Sequence, residues 1–202
     1  MSNFGRITWY KDAEVRCVRI IELDKEHWKD FKLHFKWTSN EFYKVDIRRT
    51  EDGWTIELRL KRSDKPIIKD YEEPLWQQWM DEESDWGTQI FGAEVDGRVV
   101  GWMTLGMESW NNRLRIHEIL VLEEYRRKGI GKLLLNKAKQ IARQKNCRAI
   151  VLETQTNNVG AIAFYKKQGF EFNGCDITAY RNDDIEQNEV RIDMVYRIED
   201  GS

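Results

Sequence analysis

An apolar run over residues 116–122 leads into Arg126-Arg127-Lys128-Gly129-Ile130-Gly131, and a long amphipathic run over 132–144 follows at once. That order predicts a strand, a tight glycine turn and a helix, and no other stretch constrains the chain as strongly. Glycines in such a turn let the backbone approach a ligand that side chains would hold off. The first N–H groups of the helix have no partner inside it. Aligned peptide dipoles add roughly half a positive charge at the same end. The turn therefore suits an anion, most simply a phosphate. The same residues would also serve as an ordinary turn before a helix. They lack the third glycine of a dinucleotide fingerprint, since Leu134 stands there, and no Gly-Lys-Ser/Thr of a Walker loop follows.

The flanking sequence supplies strands and helices for this centre. Residues 15–23 read as a first strand, and Asp24 as the cap of a short helix reaching Phe31. Residues 42–49 and 54–62 alternate, with turn chemistry at Thr50-Glu51-Asp52-Gly53 between them. Pro66 and Pro74 bracket an irregular piece, and Leu75, Trp76, Trp79 and Met80 fit one helical face. Asp96-Gly97 joins strands at 89–95 and 98–107, and a polar loop at 108–113 precedes the strand at 114–122. Ile130, Leu133, Leu134, Lys137, Ala138, Ile141 and Ala142 form the helix stripe. Next come a strand at 149–154 and a helix at 158–168 ended by Gly169. Short strands at 170–173 and 177–180 flank a turn at Gly174, and a last strand covers 189–198. The predicted class is α+β: a mixed, mostly antiparallel sheet flanked by helices, with one strand–glycine turn–helix–strand crossover at its centre. A chain of 202 residues suffices for one domain, with an N-terminal strand, helix and hairpin region at 15–85 and a core at 86–198.

Acidic and basic residues nearly cancel, 35 against 33, so bulk charge predicts neither a nucleic-acid nor a membrane partner. Cys17, Cys147 and Cys175 are scattered and odd in number, which suits free thiols and a cytoplasmic location. His27, His34 and His117 make no metal signature, so no metal is expected. No apolar stretch is long enough to cross a bilayer, and the first residues lack the apolar centre of a signal peptide.

Arg126-x-x-Gly129-x-Gly131, between its strand and helix, resembles the pyrophosphate loop of the GNAT superfamily of N-acetyltransferases. Asn158, Ala161, Tyr165 and Gly169-Phe170 resemble that superfamily's second motif, N-x-x-A-x-x-x-Y-x-x-x-G-F. The resemblance covers residues 86–198 and implies direct transfer of acetyl from acetyl-coenzyme A to an amine. The donor's diphosphate would sit on the backbone N–H groups of Arg127, Lys128, Gly129, Ile130, Gly131 and Lys132, with Arg126 beside them. Its pantetheine arm would pair with backbone near Leu120 and Val121. Asn158 matches a position that bonds this arm, and would equally cap a helix. Tyr165 matches the tyrosine that protonates the departing sulfur, and would equally pack in the core. The N–H of Val121 is the implied oxyanion donor. For the base, alternation allows only one of His117 and Glu118 to face the acetyl group. His117 shares parity with Arg115, Ile119 and Val121, as bases of the family commonly do, and is preferred. Glu118, Glu153 and water are the reserves. No cysteine stands in a triad-like context, so a covalent acyl-enzyme is disfavoured.

Trp110-Asn111-Asn112-Arg113, residues 152–158, Phe164-Tyr165 and Asn188-Glu189-Val190 are similar to one branch, the streptothricin acetyltransferases. That resemblance implies the amine of a cationic antibiotic as acceptor, held by Trp110 and Asn111. The branch's acidic pair before the loop is replaced by His117-Glu118 here. Acidic residues Glu72, Glu73, Asp81, Glu82, Glu83, Asp85, Asp183, Asp184 and Glu186 would attract a cation, or simply be solvated surface. A protein N-terminus, a lysine or a polyamine is the alternative acceptor. A non-catalytic acetyl-coenzyme A-binding module is the alternative class, and a homodimer is compatible with any of these.

Overall fold

A computed structural model describes residues 8–11, 14–75 and 87–198. The chain divides into two compact units. The first comprises Met1–Leu33, Glu72–Val151 and Arg197–Ser202; the second comprises His34–Tyr71 and Leu152–Tyr196.

Strand neighbours in the first unit run β1 (Thr8–Lys11), β2 (Glu14–Glu22), β5 (Gln89–Val95), β6 (Arg98–Glu108), β7 (Arg113–Val121) and the start of β8 (Ala149–Gln155). The pairs from β1 to β7 are antiparallel. Asp96 and Gly97 both have positive φ, 51° and 78°, which matches the strand twist in a two-residue hairpin. One strand, β1, precedes the predicted first strand. The single turn α1 (Lys25–Trp28) is capped by Asp24, which accepts from the His27 N–H at 3.0 Å. Beyond it, Phe31 stacks on Trp102 with centroids 5.1 Å apart.

Helix α2 (Ile130–Gln144) buries Ile130, Leu133, Leu134, Leu135, Ala138, Ile141 and Ala142. Lys137, placed on that stripe by its spacing, lies at the margin with its ammonium 5.1 Å from the Phe91 ring. The core beneath is aliphatic: Ile90, Val100, Met103, Leu105, Leu114, Ile116 and Ile150 are all buried.

In the second unit the neighbours run β8, β10 (Arg191–Arg197) and β9 (Glu171–Asp176), and β3 (Lys32–Thr50) pairs with β4 (Gly53–Pro74) in a two-stranded ribbon. Helix α3 (Val159–Lys167) is capped by Asn158, whose side chain accepts from the Ala161 N–H at 3.2 Å. The buried Thr156 joins three segments. Its N–H donates to Val190 O, its Oγ1 donates to Asn188 O and accepts from Val190 N–H, and its carbonyl accepts from Tyr43 N–H.

Two sequence expectations need correction. The piece bracketed by Pro66 and Pro74 is strand, because a two-stranded ribbon has outer edges where proline removes no ladder bond. Strand β9 runs through Gly174, and residues 177–180 are turn and bend. Leu75 is buried, whereas Trp76, Trp79, Met80, Asp81, Glu82, Glu83 and Asp85 lie outside the described residues. No described helix is long and apolar enough to cross a membrane, and Cys17, Cys147 and Cys175 are free thiols.

Candidate active site

Strand β7 leaves the sheet through a 3-10 turn at Glu123–Tyr125 and enters the glycine loop. Arg127 and Gly129 both adopt left-handed backbone, at φ 60° and 84°, with Lys128 between them. Alternating hands of this kind turn successive N–H groups toward one point, an anion-binding concavity. Gly129 is the N-cap of α2 and no side chain caps that end. The first N–H groups of α2 therefore add to the same concavity. The four basic residues divide by role. Arg127 and Lys132 are exposed. Arg126 Nε donates to Val121 O at 3.0 Å, and Lys128 Nζ donates to Glu124 O at 2.6 Å while sitting 5.1 Å from the Tyr125 ring. Those two hold the loop in shape.

Leu122 N–H donates to Val100 O at 3.0 Å, so Val100–Leu122 is a bonded pair of the β6–β7 ladder. Bonded and non-bonded pairs alternate. Leu120 thus pairs with Trp102 on β6, whereas Ile119 and Val121 turn their backbone groups to the opposite edge. Of the two positions expected to serve an extended ligand arm, the Val121 N–H is the outward one. Gly101, opposite Val121, sits in tight surroundings: a Cβ there would lie 3.1 Å from Leu120 O and 3.4 Å from Ile130 Cγ2, the first closer than ordinary van der Waals contact. Its absence lets the start of α2 lie close on the sheet.

The register changes at the residues proposed for catalysis. Leu105 pairs with Ile116, but Thr104 pairs with Glu118, so His117 is an extra residue on β7. This β-bulge reverses the alternation beyond it. Ile116, Ile119 and Val121 share a face with Leu105, Met103 and Gly101. Glu118 and Leu120 share the other face with Arg115, Thr104 and Trp102. The predicted parity linking His117 to Ile119 and Val121 is therefore interrupted at His117 itself, because a bulge leaves no mark in residue alternation. Thr104, fully buried, accepts the Glu118 N–H on its Oγ1 at 3.0 Å and so stabilises the bulge. Sequence reading missed this threonine.

It also missed Glu108, a buried carboxylate bonded to Arg115 Nε at 2.6 Å and to Arg113 Nε at 2.7 Å. Burial works to raise its pKa, but Arg115 and Arg113 together outweigh burial, and the carboxyl stays below its ordinary range. The signal was present as Arg113 and Arg115, two like charges on one strand face beside an acid across a short loop. His117 feels the same cluster. Burial first and the Arg115 charge second lower its pKa to about 4, Glu108 opposing only in part.

Trp110 and Asn111 form a 3-10 turn (Ser109–Asn111) at the start of β7, whereas the glycine loop follows its end. Nine strand residues separate them, roughly 30 Å. Trp110 is 83% exposed, and the Arg113 guanidinium lies 6.0 Å from its ring centroid. The Asn111 amide, oriented by its hydrogen bonds, accepts from Arg113 Nε at 2.8 Å and donates to Glu108 O at 3.1 Å. Arg148 Nε donates to Asn111 O, and Asn112 Nδ2 donates to Asn146 O, which ties this turn to the far end of α2.

Three predicted residues belong to the second unit. Tyr165, on α3, is buried with its ring against Phe164 and Phe170. Asn158 spends its side-chain oxygen on the α3 cap. Glu153, on β8, faces Arg191 Nε at 3.1 Å. Of the acidic residues expected to attract a cation, Asp184 is fully buried and accepts from the N–H groups of Tyr180 and Arg181. Asp183 lies 3.7 Å from Arg181, and Glu72 lies 3.9 Å from Lys32.

Residues 51–170 match the model of the acetyltransferase (GNAT) family. The chain belongs to the GNAT acetyltransferases. It is 33% identical over 144 residues to a streptothricin acetyltransferase of Escherichia coli, covering 71% of this chain and 76% of that one. It is 32% identical over 152 residues to a streptothricin acetyltransferase of Streptomyces lavendulae, covering 74% and 78%. A solved structure assigned as a streptothricin acetyltransferase of Bacillus anthracis str. Ames, in complex with acetyl coenzyme A, superposes with a TM-score of 0.70 at 29% identity, over 90% of this chain and 99% of that one. This GNAT member is an acetyl-coenzyme A-dependent N-acetyltransferase with the mixed, mostly antiparallel sheet of its family. The concavity made by Arg127, Gly129 and the start of α2 fits the donor's diphosphate, since it offers N–H groups, two exposed cations and a helix N-terminus.

Proposed function

We propose that this GNAT acetyltransferase acetylates a primary amine of a small, multiply charged acceptor, with a streptothricin-like cationic antibiotic as the first compound to try. The observation that carries the reading is identity of 31–33%, over 68–74% of the chain, to three streptothricin acetyltransferases. In this reading the acceptor is a small molecule, not a nucleic acid or a membrane, and the enzyme works in the cytoplasm.

The donor binds through the N–H groups from Arg127 to Lys132, and through the charges of Arg127 and Lys132. The Val121 N–H, turned away from β6, stabilises the oxyanion as it forms. Tyr165, which matches the family's tyrosine, donates its phenolic proton to the departing thiolate. Proton removal falls to Glu118 in preference to His117. The Glu118 carboxylate carries a negative charge that attracts a cationic amine, whereas the buried imidazole is neutral. Glu153, already paired with Arg191, is the remaining reserve. Asn158 orients α3 through its cap and offers its amide N–H₂ to the donor's arm.

Thiol release from acetyl-coenzyme A, followed across streptothricin, spermidine, a lysine peptide and a free peptide N-terminus, tests the reading. The expected result is turnover with streptothricin at a kcat/KM well above the others, and a fall of about 10²-fold in kcat for Tyr165→Phe without loss of folding. Turnover of a peptide or polyamine alone would replace the antibiotic by that acceptor, and normal kcat in Tyr165→Phe would remove the tyrosine from the chemistry.

A further inference from the structure

Trp102 carries a polar group that the fold leaves unused. Among the described residues, its Nε1 and Thr88 Oγ1 are buried side-chain atoms with no hydrogen-bond partner. The indole is 4% exposed, and solvent does not reach its N–H. A buried donor without a partner is costly, and folded proteins seldom keep one without a use. Both atoms belong to one face of the sheet. Trp102 pairs with Gly92 on β5, Thr104 pairs with Ile90, and Thr88 continues the alternation of β5 by two residues. Helix α2 lies against the opposite face, where Ile130 approaches Gly101. On β7 the face of Trp102 carries Leu120 opposite it and Glu118 opposite Thr104. Trp102 and Glu118 are therefore diagonal neighbours, about 7–8 Å apart. A ligand group bonded to the indole N–H would lie a few bonds from an amine held at Glu118.

Two rings cover the indole. Phe31 stacks on it with centroids 5.1 Å apart, and Trp28, half-buried, meets it edge-on at 6.2 Å. Phe31 itself is 36% exposed. Its backbone is held on both sides: its N–H donates to Trp28 O at 3.0 Å, and its carbonyl accepts from the Leu75 N–H at 2.8 Å. The part free to move is the ring, by rotation about its side-chain bonds. A ligand that turns Phe31 aside reaches an N–H with nothing else to bond. We propose that Trp102 determines specificity: its indole N–H donates to an oxygen of the acceptor, a carbonyl or hydroxyl a few bonds from the reacting amine. The inference rests on the proposed function only in placing that amine at Glu118. It holds for an antibiotic amine with a neighbouring amide, and equally for a peptide N-terminus with its first carbonyl. An indole N–H is a donor only, so it gives nothing to an ammonium group or to a polyamine chain. A buried site built to bond an oxygen also rejects the amine that lacks one, because the donor is then left unpaired again.

The test takes whichever acceptor turns over among streptothricin, spermidine, a lysine peptide and a peptide N-terminus. Trp102→Phe keeps a ring in the stack and removes the donor. Its kcat/KM for that acceptor is expected to fall about tenfold or more, through KM, while the KM of acetyl-coenzyme A stays unchanged. The wild type gives a second readout that needs no variant. In isotope-labelled protein saturated with coenzyme A, the Trp102 indole N–H proton resonance is expected to move downfield when the acceptor is added. An acceptor KM within about twofold of the wild type in folded Trp102→Phe overturns the inference. So does an indole resonance that stays in place with every compound of the panel. Exclusive turnover of spermidine or of a lysine side chain overturns it as well, since neither has an oxygen near its amine. Turnover of the peptide N-terminus alone, with the same loss in Trp102→Phe, would replace the antibiotic as acceptor and uphold the role of Trp102.

Discussion

His117 shows how one residue's meaning depends on backbone that its neighbours do not announce. Its type and strand favour a base with a pKa near neutrality. Burial and Arg115 instead bring it to about 4, and the bulge removes it from the parity that recommended it. The consequence is kinetic. A group that titrates near 4 cannot produce an acidic limb in kcat/KM between pH 6 and 8. Any limb there reports deprotonation of the acceptor's own amine. His117→Ala is therefore expected to keep the limb at the same pH and to lose less than about tenfold in rate, against the 10²-fold or more expected for a true general base. The pH profiles of the two proteins decide the matter. Disappearance of the limb in His117→Ala would show that the imidazole titrates near neutrality in the free enzyme and that it is the base after all.

At the scale of elements, the strand, glycine loop and α2 were legible because three independent signals coincide there: an apolar run, glycines where the backbone turns left-handed, and an amphipathic stripe. Arg127 at positive φ was not legible, since that conformation is imposed by the turn and arginine has no preference for it. The long hairpin at residues 32–74 was only half legible. Its alternation fades beyond Arg62 because both faces meet water, and solvent imposes no period on a sequence. Glu108 and Thr104 stayed hidden for another reason, since their roles depend on cross-strand partners. In the proposed function the loop acts through its backbone. Gly131→Glu would place bulk and negative charge at the proposed diphosphate site, at the positive end of α2. Calorimetry is expected to show acetyl-coenzyme A affinity reduced at least tenfold while the melting temperature without ligand moves little. Unchanged affinity in the folded variant would take the diphosphate away from this loop.

For the whole molecule, two buried groups of the first unit set how stability depends on pH. His117 has an ordinary value of 6.5 when unfolded and about 4 when folded. Between those values the unfolded chain binds the extra proton, so acid favours unfolding. Stability is at its full value above pH 6.5 and falls as pH drops toward 4, by a total on the order of 3 kcal/mol. Glu108 acts in a lower window. Its folded pKa lies below the ordinary 4.5, so the stability it supplies is complete above that value and is lost as pH falls through its folded pKa. Melting curves from pH 8 to pH 3 should therefore show a shallow decline that begins below about 6.5 and a steeper one below about 4.5. His117→Gln should flatten the first decline and spare the second. Glu108→Gln should do the reverse. It should also lower the melting temperature at pH 7 by about 6–20 °C, because it removes the carboxylate that pairs with Arg113 and Arg115, at a cost of about 3–5 kcal/mol. A His117→Gln curve parallel to the wild type at all pH values would mean that the imidazole titrates alike in the folded and unfolded chain, and that the buried cluster around Glu108 does not reach it.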